Sequence, residues 1–229
     1  MLTPWGLFAA LGVVVAGLWL RRHADGMGVT ENEFWAALWT LLLGGVIGAK
    51  LFFVILGWEH YARGELDFFA DFRTGFVFFG GLVGAGLAGL VFARLRRLSF
   101  LRGADYFAVA LPLGHAIGRI GCFFEGCCHG RPPHPVQLYE SAGLALVAGA
   151  CSLALGRVES GALPQGSAFR LYLALYAVLR VLLDPLRADG RTERLLGLSH
   201  QQGIALAILA LALWWPFGRP LPALRWRTR

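Results

Sequence analysis

The chain is dominated by a succession of apolar runs, at residues 5–20, 34–58, 76–95, 104–123, 136–155, 169–186 and 201–217. The core of a bilayer offers no partner for backbone N–H and C=O groups, so apolar runs of about 17–25 residues cross it as helices, which satisfy those groups internally. The expected fold is therefore all-α: a polytopic membrane protein of seven transmembrane helices in a single domain spanning 1–229. No soluble domain and no internal repeat interrupts the pattern. With 57% hydrophobic and 15% charged residues, the chain lies well away from an ordinary soluble composition. The first run has no basic residue before it and Arg21 and Arg22 after it, the reverse of a cleavable signal peptide, and is expected to remain as a helix.

Charge then orients the helices. The net charge is +7, which in a soluble protein would raise the question of nucleic acid; between apolar runs it marks cytoplasmic loops instead, and no nucleic-acid partner is expected. One alternate set of loops and ends holds Arg21, Arg22, Arg94, Arg96, Arg97, Arg102, Arg157, Arg170, Arg219, Arg225, Arg227 and Arg229. The other holds Arg63, Arg73, Arg131, Arg187, Arg191 and Arg194. The richer set belongs inside, so the N-terminus is expected outside and the C-terminus in the cytoplasm. That places the stretch GRIGCFFEGCCHGRPPHP, 118–135, at the outer membrane surface.

Several residues are costly in lipid. Arginine deep in a bilayer costs several kcal/mol by most estimates, so each such residue is a functional candidate. Arg180 lies about ten residues into the sixth run, with Asp184 one helical turn on. Arg119 lies near the outer end of the fourth run, with His115 one turn before it. Two readings stand open. In one, Arg180 and Asp184 form a structural ion pair while Arg119 snorkels to the interface. In the other, the arginines line a pocket for an anionic headgroup, because a guanidinium fork matches phosphate. Lys50 divides in the same way between snorkelling and neutralising a phosphate, and Asp105 reads as a charge at a helix N-terminus. The glycines of the third run, Gly80, Gly81, Gly84, Gly86 and Gly89, form a small-residue pattern that lets helix backbones approach closely.

Cys151 sits inside an apolar run and reads as a small core residue. The other three cysteines, Cys122, Cys127 and Cys128, share one stretch with His129 and His134, and three readings apply to them. Their spacing, C-x4-C-C-H, lacks the usual C-x2-C knuckle of a zinc site, and no metal is assigned from it. A disulfide from Cys122 to Cys127 or Cys128 is possible outside the membrane, whereas a vicinal Cys127–Cys128 bridge would be strained. Packing or thiol chemistry is the third.

GRIGCFFEGCCHGRP followed by HPVQLYE resembles the signature region of the bacterial prolipoprotein diacylglyceryl transferases, in which a Gly-Arg-x-Gly-Asn-Phe segment ends in Gly-Arg-Pro and His-Pro-x-Gln-Leu-Tyr-Glu follows. The likeness extends to Gly80-Gly81-Leu82, to the Arg180-x-x-x-Asp184 pattern, and to seven spans with the N-terminus outside. It implies transfer of the diacylglyceryl group of phosphatidylglycerol to the thiol of a lipobox cysteine in a preprolipoprotein, with release of glycerol phosphate. The implied setting is the outer face of the bacterial cytoplasmic, or inner, membrane. The implied partners are phosphatidylglycerol, a preprolipoprotein signal peptide and membrane lipids, with no cofactor. Arg119 and Arg180 would hold the headgroup. Gly130 and Arg131 match the Gly-Arg that closes the signature, where glycine would let the loop backbone approach lipid. His134, Gln137, Tyr139 and Glu140 match the segment that opens the fifth run, and Cys122 and Asp184 complete the expected substrate site.

The departures fall at functional positions. The family's His-Gly-Gly-Leu, whose histidine is a proposed base, reads Phe79-Gly80-Gly81-Leu82. Its signature asparagine is Cys122, the glutamate before its Gly-Arg is matched by Cys127, and an early tyrosine by Trp5. The outer segment between the fourth and fifth runs is cut to about a dozen residues. Phenylalanine takes no proton, so His115, beside Arg119, becomes the candidate base, with His134 and His129 behind it. Two function classes follow: a membrane transferase, acting on a lipobox cysteine or another acceptor, and a membrane thiol- or metal-binding protein on the same fold. No pair of broken helices in matching halves supports a transporter.

Overall fold

The computed structural model describes residues 3–64, 77–188, 194–195 and 198–214, and these are all-helical apart from one two-residue ladder. Arg73, Arg191, Arg219, Arg225, Arg227 and Arg229, counted above for orientation, lie outside the described residues, as do the side chains of Phe79 and Arg194 and the ends of the third and seventh apolar runs. The described helices are α1 (Pro4–Arg22), α2 (Ala24–Met27), α3 (Glu31–Leu56), α4 (Trp58–Ala62), α5 (Phe78–Arg96), α6 (Phe100–Glu125), α7 (Val136–Glu159), α8 (Ser167–Leu183) and α9 (His200–Trp214), with β1 (Arg194–Leu195) antiparallel to β2 (Leu198–Ser199). Among the described residues four helices, α1, α3, α6 and α7, are long and apolar enough to cross a membrane. At seventeen and fifteen residues, α8 and α9 are shorter. Large apolar side chains point outward along these helices, including Leu7, Val13, Ile47, Leu51, Leu146 and Leu153, an exterior that suits lipid and not water.

The chain divides into two compact units. The first is Gly28–Phe100. Within it α3 starts three residues before the apolar run does, because Thr30 and Glu33 close a capping box: Glu33 N–H donates to Thr30 Oγ1 at 3.3 Å and Thr30 N–H to Glu33 Oε2 at 2.9 Å. The glycines of the third run do bring helices together, and their partner is α3. A methyl group added at Gly84 would drive into the Gly44 carbonyl and lie 2.8 Å from Gly48 Cα. Gly86, by contrast, faces open space, with nothing within 4 Å of where a Cβ would lie. Lys50 is buried rather than snorkelling, with its ammonium 5.3 Å from the Phe53 ring centre.

The second unit is Met1–Met27 with Leu101–Arg225. Here α1 runs against α6, close enough that a Cβ on Gly114 would stand 2.9 Å from the Gly12 carbonyl oxygen, and the Trp5 N–H at the start of α1 donates to Glu125 Oε2 at the end of α6, at 3.0 Å. The carboxylate of Asp105, near the start of α6, caps a different helix: it accepts from the N–H groups of Gly166 at 2.6 Å and Phe169 at 3.0 Å, at the first turn of α8. Ser141 of α7 donates to the Ala116 carbonyl of α6 at 2.9 Å. These contacts set α6, α7 and α8 side by side, with the end of α6, the start of α7 and the end of α8 sharing one end of the unit. Cys151 is fully buried in α7, as its apolar setting leads one to expect.

Candidate active site

Glu140 lies on the second turn of α7 and is all but sealed from solvent, at 1% exposure. Burying a carboxylate costs several kcal/mol unless charge and hydrogen bonds compensate. Here three guanidiniums surround it. Arg119 Nη2, from α6, lies 3.0 Å from Oε1; Arg180 Nη1, from α8, lies 3.5 Å from the same oxygen; Arg187 Nη1 donates to Oε2 at 3.3 Å. The arginine side chains are 15%, 11% and 8% exposed, so solvent screens the cluster little. Three guanidiniums thus converge on one buried carboxylate. The pairing is also imperfectly aligned: among the described residues, neither Glu140 Oε1 nor Arg119 Nε has a hydrogen-bond partner of good geometry. Arg119 Nε, an unused donor inside a cluster of guanidiniums, suits an anion.

His115 stands one turn before Arg119, and its Nε2 is 3.9 Å from Glu140 Oε1, beyond hydrogen-bond length. The Tyr176 ring, one turn before Arg180 on α8, packs 5.9 Å from the His115 ring. Arg180 thus meets a carboxylate on a neighbouring helix. Asp184, set as its partner by sequence spacing, accepts from the Ser199 hydroxyl at 2.6 Å instead, because α8 stops at Leu183 and a 3-10 turn, Asp184–Leu186, swings the chain away.

That turn delivers Arg187, which in the sequence is one more loop charge. Arg131 N–H donates to the Leu186 carbonyl at 2.8 Å and Ala188 N–H to the His129 carbonyl at 3.1 Å, so the two short segments zip together antiparallel. Gly130 sits at their centre. A Cβ there would run into the His134 carbonyl and Val136 and lie 2.9 Å from the Leu186 carbonyl. The close approach that requires glycine here is to the protein's own backbone. Arg131 is exposed, and the His134 ring lies against the half-exposed Tyr139 ring, 6.2 Å between centres. Gln137 is buried and donates from Nε2 to the Cys127 carbonyl at 2.9 Å, tying α7 to the cysteine loop.

Cys122, in the last turns of α6, reaches the arginine cluster directly, with its Sγ 3.9 Å from Arg119 Nη1. Its sulfur and those of Cys127 and Cys128 all lie within 4.8 Å of one another, and all three are free thiols. Burial first, then the neighbouring sulfurs, pushes the Cys127 thiol up to about 12. The structure therefore gathers His115, Arg119, Cys122, Glu140 and Arg180 from the expected set into one cluster, adds Arg187, and places Gly130, Arg131, Gln137, His134, Tyr139 and Asp184 around it as framework or rim. Arg187 carried one signal in the sequence, its place just beyond a span that already held Arg180.

Comparison with known proteins gives the family. The family model described as prolipoprotein diacylglyceryl transferase matches residues 2–217. The phosphatidylglycerol–prolipoprotein diacylglyceryl transferase of Geobacter sulfurreducens is 31% identical over 79% of this chain and 75% of its own length. The enzyme of that name from a Nostoc species is 31% identical over 95% of this chain and 87% of its own. That of Clostridium tetani is 26% identical over 91% and 90%. On this match, and on signature residues that the fold draws together around Glu140, the chain belongs to the prolipoprotein diacylglyceryl transferase family.

Proposed function

We propose that this protein transfers the diacylglyceryl group of phosphatidylglycerol to the thiol of a lipobox cysteine in preprolipoproteins. The reaction takes place at the outer face of the bacterial inner membrane, in one domain of seven spans with the N-terminus outside and the C-terminus in the cytoplasm. The observation that carries the reading is the convergence of three guanidiniums on buried Glu140. A phosphodiester entering this cluster meets Arg119, Arg180 and Arg187, whose guanidiniums bind its oxygens and stabilise the second negative charge that appears as the carbon–oxygen bond breaks. Glu140 holds the three arginines in place against their mutual repulsion. His115, one turn from Arg119, is the group placed to take the acceptor thiol's proton. The exposed residues Arg131 and Tyr139 form the rim where the signal peptide arrives, with His134 beside them.

The test is complementation of a bacterium whose own transferase can be depleted. Growth with the parent chain and none with Arg119→Ala is the expected result. Failure of the parent chain, once shown to be inserted and expressed, refutes the lipobox assignment and leaves a relative acting on a different acceptor.

A further inference from the structure

The three-sulfur cluster is not used by the arginine chemistry above, and its geometry sets it apart from ordinary buried thiols. Cys151 shows the ordinary case: a single thiol sealed in the apolar interior of α7. Cys122, Cys127 and Cys128 instead bring three sulfurs within 4.8 Å of one another at the junction of α6 and its following loop. Cys128 does so with a left-handed backbone, φ 56°, that is uncommon for a residue other than glycine, and Gly126 two residues earlier is also left-handed, at φ 73°. Three thiolates at about 2.3 Å from one zinc ion stand roughly 3.8 Å apart, so the cluster needs to contract by only about an ångström. Thiolates select soft or borderline cations over magnesium and calcium. Among the described residues no fourth histidine, cysteine or carboxylate joins the three, and three protein ligands with one position open is the pattern of a reactive zinc centre rather than a structural one.

We propose that Cys122, Cys127 and Cys128 bind zinc through three thiolates and leave its fourth position for the acceptor sulfur that becomes alkylated. The inference rests on the transferase reading for its second half only. On binding the metal the acceptor thiol gives up its proton, which His115 takes and passes to solvent. Its sulfur then forms a bond to the glyceryl carbon while that carbon's bond to the phosphate oxygen breaks, and the electron pair leaves with the oxygen. The products are a thioether, the glycerol phosphate dianion and the released proton. Charge supports the arrangement: zinc with three thiolates carries one net negative charge, and Arg119, 3.9 Å from Cys122 Sγ, joins it to the positive cluster where the phosphate leaves. Zinc thus lowers the demand on His115 as the base in a chain that has Phe79 in place of the family's proposed histidine.

Metal analysis of the full-length chain purified in detergent tests the site without reference to activity. The expected result is about one zinc per chain, falling to background in Cys122→Ser and Cys128→Ser and unchanged in Cys151→Ser. Cobalt exchanged for zinc should give sulfur-to-cobalt charge-transfer absorption that changes when N-acetylcysteine methyl ester is added. Background metal in a chain that elutes as a single folded species, copper alone, zinc retained by the serine variants, or a cobalt spectrum unmoved by the thiol each overturns the inference. The two readings also fail separately. A zinc-loaded, thiol-binding chain that does not complement refutes the transferase reading alone, whereas lipid transfer by Cys128→Ser at the parental rate refutes the role of zinc alone.

Discussion

Replacing Glu140 by glutamine keeps its shape and removes its charge, which isolates what the carboxylate does for the three arginines. The contacts are 3.0, 3.5 and 3.3 Å between nitrogen and oxygen. With charge centres about 4 Å apart and an effective dielectric near 20, each attraction amounts to about 4 kcal/mol before costs. Desolvation of the four groups and repulsion among the guanidiniums cancel most of that sum. What remains on deleting one partner of a buried pair is about 3–5 kcal/mol, and the glutamine oxygen, still an acceptor, favours the lower end. For a chain of this size each kcal/mol moves the melting midpoint by roughly 2–4 °C, so Glu140→Gln should melt roughly 6–12 °C below the parent. Intrinsic fluorescence of the eight tryptophans in detergent reads this directly. Two further arms bind the result to the site. Because the cluster is buried, the difference should change little between about 0.05 and 0.5 M salt. Glycerol phosphate should raise the variant's midpoint more than the parent's, since an anion takes the place of the lost charge. A variant that melts within about 1 °C of the parent, less than a kcal/mol in a chain this long, would refute the premise that these guanidiniums depend on Glu140.

The close crossing of α3 and α5 predicts that Gly84→Val, which forces a side chain against the Gly44 carbonyl and Gly48, destabilises by about 3 kcal/mol or prevents folding. Gly86→Ala, facing open space on the same helix, should be neutral or stabilise by about 0.5–1 kcal/mol, and the pair of melting curves separates packing from helix propensity. Asp105→Ala removes the acceptor of the Gly166 and Phe169 N–H groups and should cost about 1–2 kcal/mol. Hydrogen exchange should locate the loss at the first turn of α8; unchanged protection there would refute the cap.

Helix class and approximate bounds were legible because bilayer physics acts on composition, and composition is local. So was the packing role of Gly80, Gly81 and Gly84, though the same pattern did not set Gly86 apart. Partners were not legible. Spacing along α8 puts Asp184 one turn from Arg180, but it carries no information about Glu140, forty residues earlier on another helix. That pairing depends on how α6, α7 and α8 pack, which the Asp105 cap and the Ser141–Ala116 hydrogen bond decide. Arg187 was hidden for a related reason. Its place is fixed by backbone hydrogen bonds to residues 129–131, which any side chain at 186–188 could make. Gly130 signals a close approach but not its neighbour, because glycine reports that space is short and not what fills it.

The cysteines pose the same problem in charge rather than in space. In the pattern this chain resembles, position 122 is asparagine and position 127 is glutamate, so a neutral acceptor faces Arg119 and one negative charge lies in the loop. Here both positions hold cysteine, so the glutamate's charge is absent while the arginine cluster beside Cys122 remains. Three thiolates around one zinc ion carry a single net negative charge, the value the glutamate would have supplied. On the zinc proposal, the substitutions at 122 and 127, together with Cys128, are one exchange rather than separate losses. Restoring the family residues singly, as Cys122→Asn or Cys127→Glu, should then impair the enzyme more than restoring both with Cys128→Ala. That ordering, read by complementation, is the reverse of what independent, additive positions would give.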